Sequence, residues 1–425
     1  MKRIVALILL AGLCLGLCAC GNQQSQQTAA SEPTQEVVTF FVPEPMEYPN
    51  YTFDGTPTTD ELRQMAVQAM QDMLSIQWSV GKFVYYNKSG SVSGKFFSHV
   101  PEVIYAGMPY TNGASGLVQW MEFYDTETGR FSFEGTGAEL NDLLGNSCAA
   151  CVSSAWMTVC NSAVKGSSAT YYMTPMNGYL PVGPYQSNYG ISSYEQYPTD
   201  RICADNGQEV MYASYAAILP ADALVSTPDV HAIMAIEAAH VVYNEDGSIN
   251  GTESTVTIAD QRAGNGDLFY EVDDGNGNTL NFSGRTHYDY TFEELWKLCY
   301  IPVTSAEFMG TKEYEVPKVT FSNAASTLQE AAGGSITSNY PIRVIRGVLV
   351  DGDGNEQVYE RVILNNDQIS TGMTMNYSLS NMTVGVSESA LKDFMESGKT
   401  YTLRIEVAMP NGENFTVVEI AGLSA

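Results

Sequence analysis

Hydrophobic and polar residues alternate along this chain with several periods, and the changes of period divide it. Residues 4–17 form an unbroken apolar run, shorter than a bilayer-spanning helix. Thr58-Thr59-Asp60-Glu61 reads as a capping box, and Leu62, Met65, Ala66, Ala69, Met70 and Met73 follow with helical period. Residues 78–86 read as extended. Helices are predicted near 117–124, over 136–144 and from 148 onward, where Val152, Ala155, Trp156 and Val159 fall at i, i+3, i+4 and i+7. Residues 209–219 are helical up to Pro220, and 221–225 read as a turn and a strand. A buried strand begins at His231 and runs to Tyr243, with His240 nine residues on and so facing the other way. Residues 254–261 form the next strand, and 290–299 a short helix.

The pattern then changes. Residues 311–335 are rich in Thr, Ser and Gly and read as a connector. Segments 342–350, 356–364, 374–380, 400–408 and 414–420 alternate, with a helical interlude at 387–395. Turns at Asp351-Gly352-Asp353-Gly354 and Pro410-Asn411-Gly412 separate them. Short strands over 335–425 predict a β-sandwich of immunoglobulin type. Asp351, Asp353 and Asn355 imitate a calcium loop, but Val362 stands where its final Glu is needed, so the stretch reads as a hairpin turn. Residues 170–215 hold nine tyrosines broken by prolines. Such a segment either covers a site or packs upon itself.

The chain has 425 residues, 44% hydrophobic and only 16% charged, enough for two domains with sizeable cores. Its formal charge of -28 excludes nucleic acid as a partner and argues against purely electrostatic attachment to anionic lipid or wall polymers. Met1-Lys2-Arg3, the apolar run and Leu17-Cys18-Ala19-Cys20-Gly21 together resemble the signal peptide and lipobox of bacterial lipoproteins. The resemblance makes residues 1–20 a leader and Cys20 the lipid-bearing first residue of a membrane-anchored, extracytoplasmic chain. Residues 21–57, rich in Gln, Ser, Thr and Pro, read as a disordered tether. Of eight cysteines three lie in the leader, and the other five form no disulfide framework.

Cys148 is the centre of the candidate chemistry. Ser147 is suited to cap the helix that Cys148 begins, and unpaired N–H groups at that end favour a thiolate. The position also suits a small apolar residue in a core helix. Cys148-Ala149-Ala150-Cys151 has redox spacing, but a redox site needs a strand before it, where 136–144 reads as helix. A metal site needs a second cysteine pair, and none exists. A thiol nucleophile needs a base and a group that orients the base. Of His99, His231, His240 and His287, His231 is best placed, at the head of a buried strand after Pro228-Asp229. The next strand supplies Asp260, which shares a face with Val256 and Ile258, or Gln261 at its twisted end.

The order of Gly-x-Pro-Tyr at 107–110, Cys148 at a helix start, Pro220-Ala221-Asp222, His231 on a strand and a polar residue on the next strand resembles the NlpC-type papain-like cysteine peptidases and amidases of bacterial cell walls. The resemblance spans residues 107–261 inside a domain of 58–310. It keeps the Cys of the family's Asp-Cys-Ser-Gly-Phe and replaces its neighbours with Ser147 and Ala149. It implies an α+β papain-like domain with Cys148 as nucleophile, His231 as base, Asp260 or Gln261 as third member and Tyr110 beside the oxyanion. The Tyr-rich segment is then an insertion between Cys148 and His231. The implied activity is hydrolysis of peptidoglycan stem peptides, without metal or cofactor. The alternative is a catalytically inactive relative that binds wall fragments or a protein partner. For the anchor, Cys20→Ala should move the protein from the membrane fraction to the soluble fraction. Retention at the wild-type level rejects it.

Overall fold

The computed structural model describes residues 43–81, 84–87, 96–99, 103–110, 115–132, 145–162, 173–175, 178–187, 198–262, 270–273, 279–282, 284–365 and 374–424. The predicted leader, Cys20, the helix over 136–144 and five of the nine tyrosines lie outside them. The protein is α+β, with helices set against largely antiparallel sheets.

The helix Thr59–Ser75 opens on the predicted capping box. The Thr58 hydroxyl accepts from the Glu61 N–H, and the Glu61 carboxylate accepts from the Thr58 N–H. Leu62, Ala66, Ala69, Met70 and Met73 are buried on one side. Burying each of the larger ones contributes roughly 1.5–3 kcal/mol. This helix packs on the helix Cys148–Met157 and on the strands Thr255–Gln261 and Gly284–Thr291. Arg63 is buried with them and pairs with Asp222 at 2.7 Å.

The sheet that carries the site has six strands, all paired antiparallel. Their order is Gly284–Thr291, Thr255–Gln261, His231–Ala235, Ala223–Ser226, Ile301–Thr304 and Leu180–Pro181. The helix Cys148–Met157 packs against the two strands His231–Ala235 and Thr255–Gln261. The strand at His231 ends at Ala235 rather than reaching Tyr243. The chain bends at 236–237, and His240 makes only an isolated bridge to Thr255. His240 is exposed because the strand has already ended, so strand parity does not govern it. The predicted helix over 290–299 spans Phe292–Lys297, because Tyr290 belongs to the preceding strand.

A second hydrophobic core lies between a four-stranded sheet and a three-stranded one. The four are Glu356–Ile363, Val344–Asp351, Thr400–Ala408 and Asn414–Ser424, and the three are Val319–Phe321, Ser335–Ser338 and Asn376–Ser378. Both predicted turns are present. At the first, Asp351 Oδ1 accepts from the N–H groups of Asp353 and Asn355. Residues 311–335, predicted as a connector, hold the strand Val319–Phe321 and the capped helix Leu328–Ala332. Val319, Phe321 and Leu328 are half-buried against the second core, and this apolar contact orders a polar stretch. The two cores meet at Glu122, which accepts from Arg346 and Arg361, and at Gln119, which donates to the Leu364 carbonyl.

Residues 43–57, predicted as the end of a tether, carry no helix or strand but are held in place. Tyr51 is buried, its hydroxyl donates to Asp72, and its N–H donates to the Asn411 carbonyl. Burial of the Tyr51 ring, with its hydroxyl and backbone N–H both satisfied, outweighs the polar composition around it. Gly412 lets the Asn411 turn come this close. It has φ +89, and a Cβ there would lie 1.8 Å from the Pro49 carbonyl oxygen. Gly354 has φ +85 with nothing within 4 Å. Gly354→Ala should therefore destabilise by about 1–2 kcal/mol from backbone strain alone. Gly412→Ala should lose at least about 1 kcal/mol more. Urea unfolding of both variants checks this, and equal losses would mean that residues 49–51 are not seated on the turn.

Candidate active site

Ser147 is the helix cap predicted, with its hydroxyl accepting from the Ala150 N–H at 3.4 Å. Cys148 therefore begins the helix, and all ten residues of Cys148–Met157 are buried. The chain reaches this cap through Gly145 at φ +114, held by Ser115, whose hydroxyl donates to the Gly145 carbonyl at 2.7 Å. The Asn146 N–H donates to the Pro109 carbonyl, and Tyr110 and Asn146 form a parallel bridge. That bridge brings Tyr110 to the helix start. Its hydroxyl is hydrogen-bonded to both the side chain and the backbone N–H of Cys148. Burial, followed by the charge of Cys148, pushes the Tyr110 hydroxyl above its ordinary value, so it remains a donor.

His231 arrives from the other side. The turn before it contains Val230 at φ +51. A β-branched residue rarely takes that conformation, and such strain concentrates at functional sites. The Val230 carbonyl oxygen lies 3.9 Å from Cys148 Sγ, a long contact for a thiol donor. Below the site, Ala221 at φ +69 lets its carbonyl accept from Trp156 Nε1 at 2.7 Å. Arg63 donates to the neighbouring Pro220 carbonyl. The turn ahead of the His231 strand is thus tied to the Cys148 helix.

Strand parity decides the third member. Ile258 lies opposite Ala235. His231 shares Ala235's face and Asp260 shares Ile258's face, so His231 and Asp260 meet. His231 Nε2 lies 2.9 Å from Asp260 Oδ2, with Asp260 wholly buried. Gln261 has the opposite parity, and its Nε2 donates to the Met108 carbonyl at 2.7 Å. Gln261 therefore ties the Asp260 strand to the segment carrying Tyr110 and does not orient His231. With Nε2 donating to the carboxylate, Nδ1 is the nitrogen left for Cys148. Burial opposes a charged ring, but the Asp260 and Cys148 interactions outweigh it and push His231 up to about 9. Burial likewise pushes the Asp260 carboxyl up, but hydrogen bonds from His231 and Arg285 outweigh it and hold the group low.

Arg285 has no counterpart among the residues singled out from the sequence. Its Nε and Nη2 donate to the two oxygens of Asp260 at 3.0 and 2.8 Å, and its guanidinium lies 4.0 Å from the centre of the Tyr288 ring. The pairing depends on a bulge. Ile258 opposes Tyr288, yet Asp260 opposes Arg285, so the Arg285 strand has one extra residue there. His287, at φ +57, lies within that extra length. Without the bulge Thr286 would face Asp260 and Arg285 would point away, so regular alternation gives no sign of this partner.

Other candidates are not brought to the site. His287 is exposed, and His99 ends the strand Phe96–His99. Tyr179, Tyr185 and Tyr215 of the Tyr-rich segment are buried in the first core. The Tyr185 and Tyr215 hydroxyls donate to backbone carbonyls there. Among the described residues no group of three or more His, Cys, Asp or Glu is placed to hold a metal ion. No family model, no curated protein and no solved structure matches this chain.

Arg285→Ala should destabilise the protein by roughly 3 kcal/mol, because it strips two hydrogen bonds from a buried carboxylate. Asp260→Asn tests the linkage. A raised His231 contributes stability below its free value of 6.5 and loses it as pH rises through about 9. A depressed Asp260 contributes above its free value of 3.8 and loses that contribution on acidification. The stability difference between wild type and Asp260→Asn should therefore be largest between 3.8 and 6.5 and shrink toward 9. Urea unfolding across this range reads it, and a difference that grows above pH 7 contradicts the assignment.

Proposed function

We propose that the protein is a thiol hydrolase of NlpC-type, papain-like design that cleaves an amide bond in peptidoglycan stem peptides. The observation that carries the reading is a buried Cys148 at a capped helix start, on a helix packed against the strand of His231, whose Nε2 meets the buried Asp260. A nucleophile helix packed on the antiparallel strands that carry base and orienter is the arrangement this reading requires. Ala221 takes the left-handed conformation suited to the Gly in the family's Pro-Gly-Asp turn, which favours the same reading. The C-terminal unit is read as an immunoglobulin-like sandwich. Cys20 is read as a lipid anchor holding the enzyme at the outer face of the membrane, near its wall substrate.

In the proposed reaction Cys148 passes its proton to His231 Nδ1 and attacks the amide carbon. The Cys148 N–H and the Tyr110 hydroxyl are the donors assigned to the carbonyl oxygen as it gains negative charge, each turning from the other to the substrate. His231 gives the proton to the departing amine, the C–N bond breaks and a thioester remains. Water then loses a proton to His231, attacks the thioester and releases the acid, and the proton returns to the thiol. Asp260 holds the imidazole in orientation and stabilises its charged form.

A second reading is favoured by one observation. Cys148 is only 3% exposed and His231 only 7%. A shielded thiol suits an inactive relative that binds wall fragments or a protein partner. Reactivity separates the two. Burial pushes Cys151 and Cys160 well up and Cys203 up to about 12, and Cys299 is also raised. In the active reading a mild alkylating agent near pH 6 labels Cys148 first. His231→Ala should move the labelling midpoint toward a free thiol's value of about 8.5 and lower peptidoglycan hydrolysis about 10²–10⁴-fold. If Cys148 labels no faster than Cys299, the binding reading replaces the enzyme. If Cys148 is fast and purified peptidoglycan shows no new fragments by mass spectrometry, the thiol is active on another amide.

A further inference from the structure

Arg262 follows the last residue of the Asp260 strand. Parity places it on the face of Ile258 and Asp260, the face turned toward His231. It is exposed, and its Nη1 lies 3.5 Å from the Tyr290 hydroxyl. Arg285 Nη2 reaches the same hydroxyl at 3.4 Å. Tyr290 thus joins Arg262 to the array of Arg285, Asp260 and His231. Continued by parity, the register that sets Ile258 against Ala235 brings Arg262 level with His231.

Charge is scarce on the positive side of this chain, with 20 Lys and Arg against 48 Asp and Glu. Arg63, Arg201, Arg285, Arg346, Arg361 and Arg404 each pair with a carboxylate. Among the described residues no carboxylate lies within ion-pair distance of Arg262. The acids of the Asp260 strand and of the turn before His231 are engaged elsewhere. Asp260 accepts from His231 and Arg285, and Asp229 accepts from the Tyr300 hydroxyl at 2.8 Å. An exposed guanidinium level with His231, in a protein rich in acids and with no ion-pair partner among the described residues, suits a ligand that brings its own carboxylate.

We propose that Arg262 binds a substrate carboxylate and makes the site selective for peptides with a free carboxylate close to the scissile amide. This rests on the reading of Cys148 as the nucleophile. Iodoacetate and iodoacetamide differ by one carboxylate and alkylate the same thiol, so the ratio of their rate constants at Cys148 reads the proposal without a known substrate. That ratio should fall about threefold in Arg262→Gln, and by no more than about fivefold, the limit for an exposed ionic contact. Arg262→Lys should fall between. High salt should narrow the difference between wild type and Arg262→Gln. As a second measurement, wild-type protein should cleave peptidoglycan fragments with free carboxylates faster than the same fragments after amidation, and Arg262→Gln should lose that preference. If iodoacetamide selects Cys148 but the ratio is unchanged in Arg262→Gln, the Arg262 proposal is overturned and the nucleophile stands. If iodoacetamide does not select Cys148, the nucleophile falls and the proposal with it.

Discussion

Asp260 is a carboxylate with no exposed surface, and it is held ionised. An isolated charge in that position would cost several kcal/mol. Its two oxygens instead receive His231 Nε2 and the Nε and Nη2 of Arg285. Three consequences follow from this one requirement. The His231 strand must lie beside the Asp260 strand in a register that puts both side chains on one face. The strand on the other side must bulge at His287 so that Arg285 arrives where Thr286 would have been. The imidazole, fixed at one nitrogen, is left with a single nitrogen to offer Cys148.

The helix that carries Cys148 is set by contacts far from the thiol. Trp156, two turns along, donates to the carbonyl of Ala221, and Arg63 binds Pro220 and Asp222 on the same turn. Gln261 reaches back to Met108, and Asn146 to Pro109, so the segment with Tyr110 is held from both sides. Cys148, His231 and Tyr110 therefore sit on three separate segments cross-tied by buried hydrogen bonds. Among the described residues, four other than glycine take left-handed backbone: Ala221, Val230, His287 and Cys299. Three of them serve the site. Ala221 shapes the turn under the helix, Val230 precedes the base, and His287 makes the bulge. Each adds strain of order 1–3 kcal/mol that the surrounding packing must outweigh.

The charge of the chain acts at two ranges. Over the whole surface it is strongly negative, which discourages association with anionic polymers at a distance. Next to the thiol the sign is reversed, because His231 and Arg285 share a single carboxylate and Arg262 adds another positive charge. Under the proposed reading, recognition of an anionic group is confined to the surroundings of this array.

Much of this was legible in the chain itself. The Thr58 capping box, the Ser147 cap, the strand starting at His231 and both hairpin turns of the second unit are local matters. Backbone propensity and side-chain capping within a few residues decide them. Parity along residues 254–261 favoured Asp260 as the partner of His231 but left Gln261 open. Only the register between strands separated the two, sending Gln261 to Met108. Arg262 shares the parity of Asp260 and was within reach of the same argument. Arg285 was not, because one inserted residue on its strand inverts the alternation, and a bulge leaves no periodic trace. The strand ending at Ala235, the elements inside 311–335 and the seating of Tyr51 were likewise decided by contacts between residues distant in the chain. Sequence fixes what a short segment prefers by itself. Which segments lie side by side, and in what register, is set by the packing of buried side chains and the pairing of buried charge, and both exist only in the folded whole.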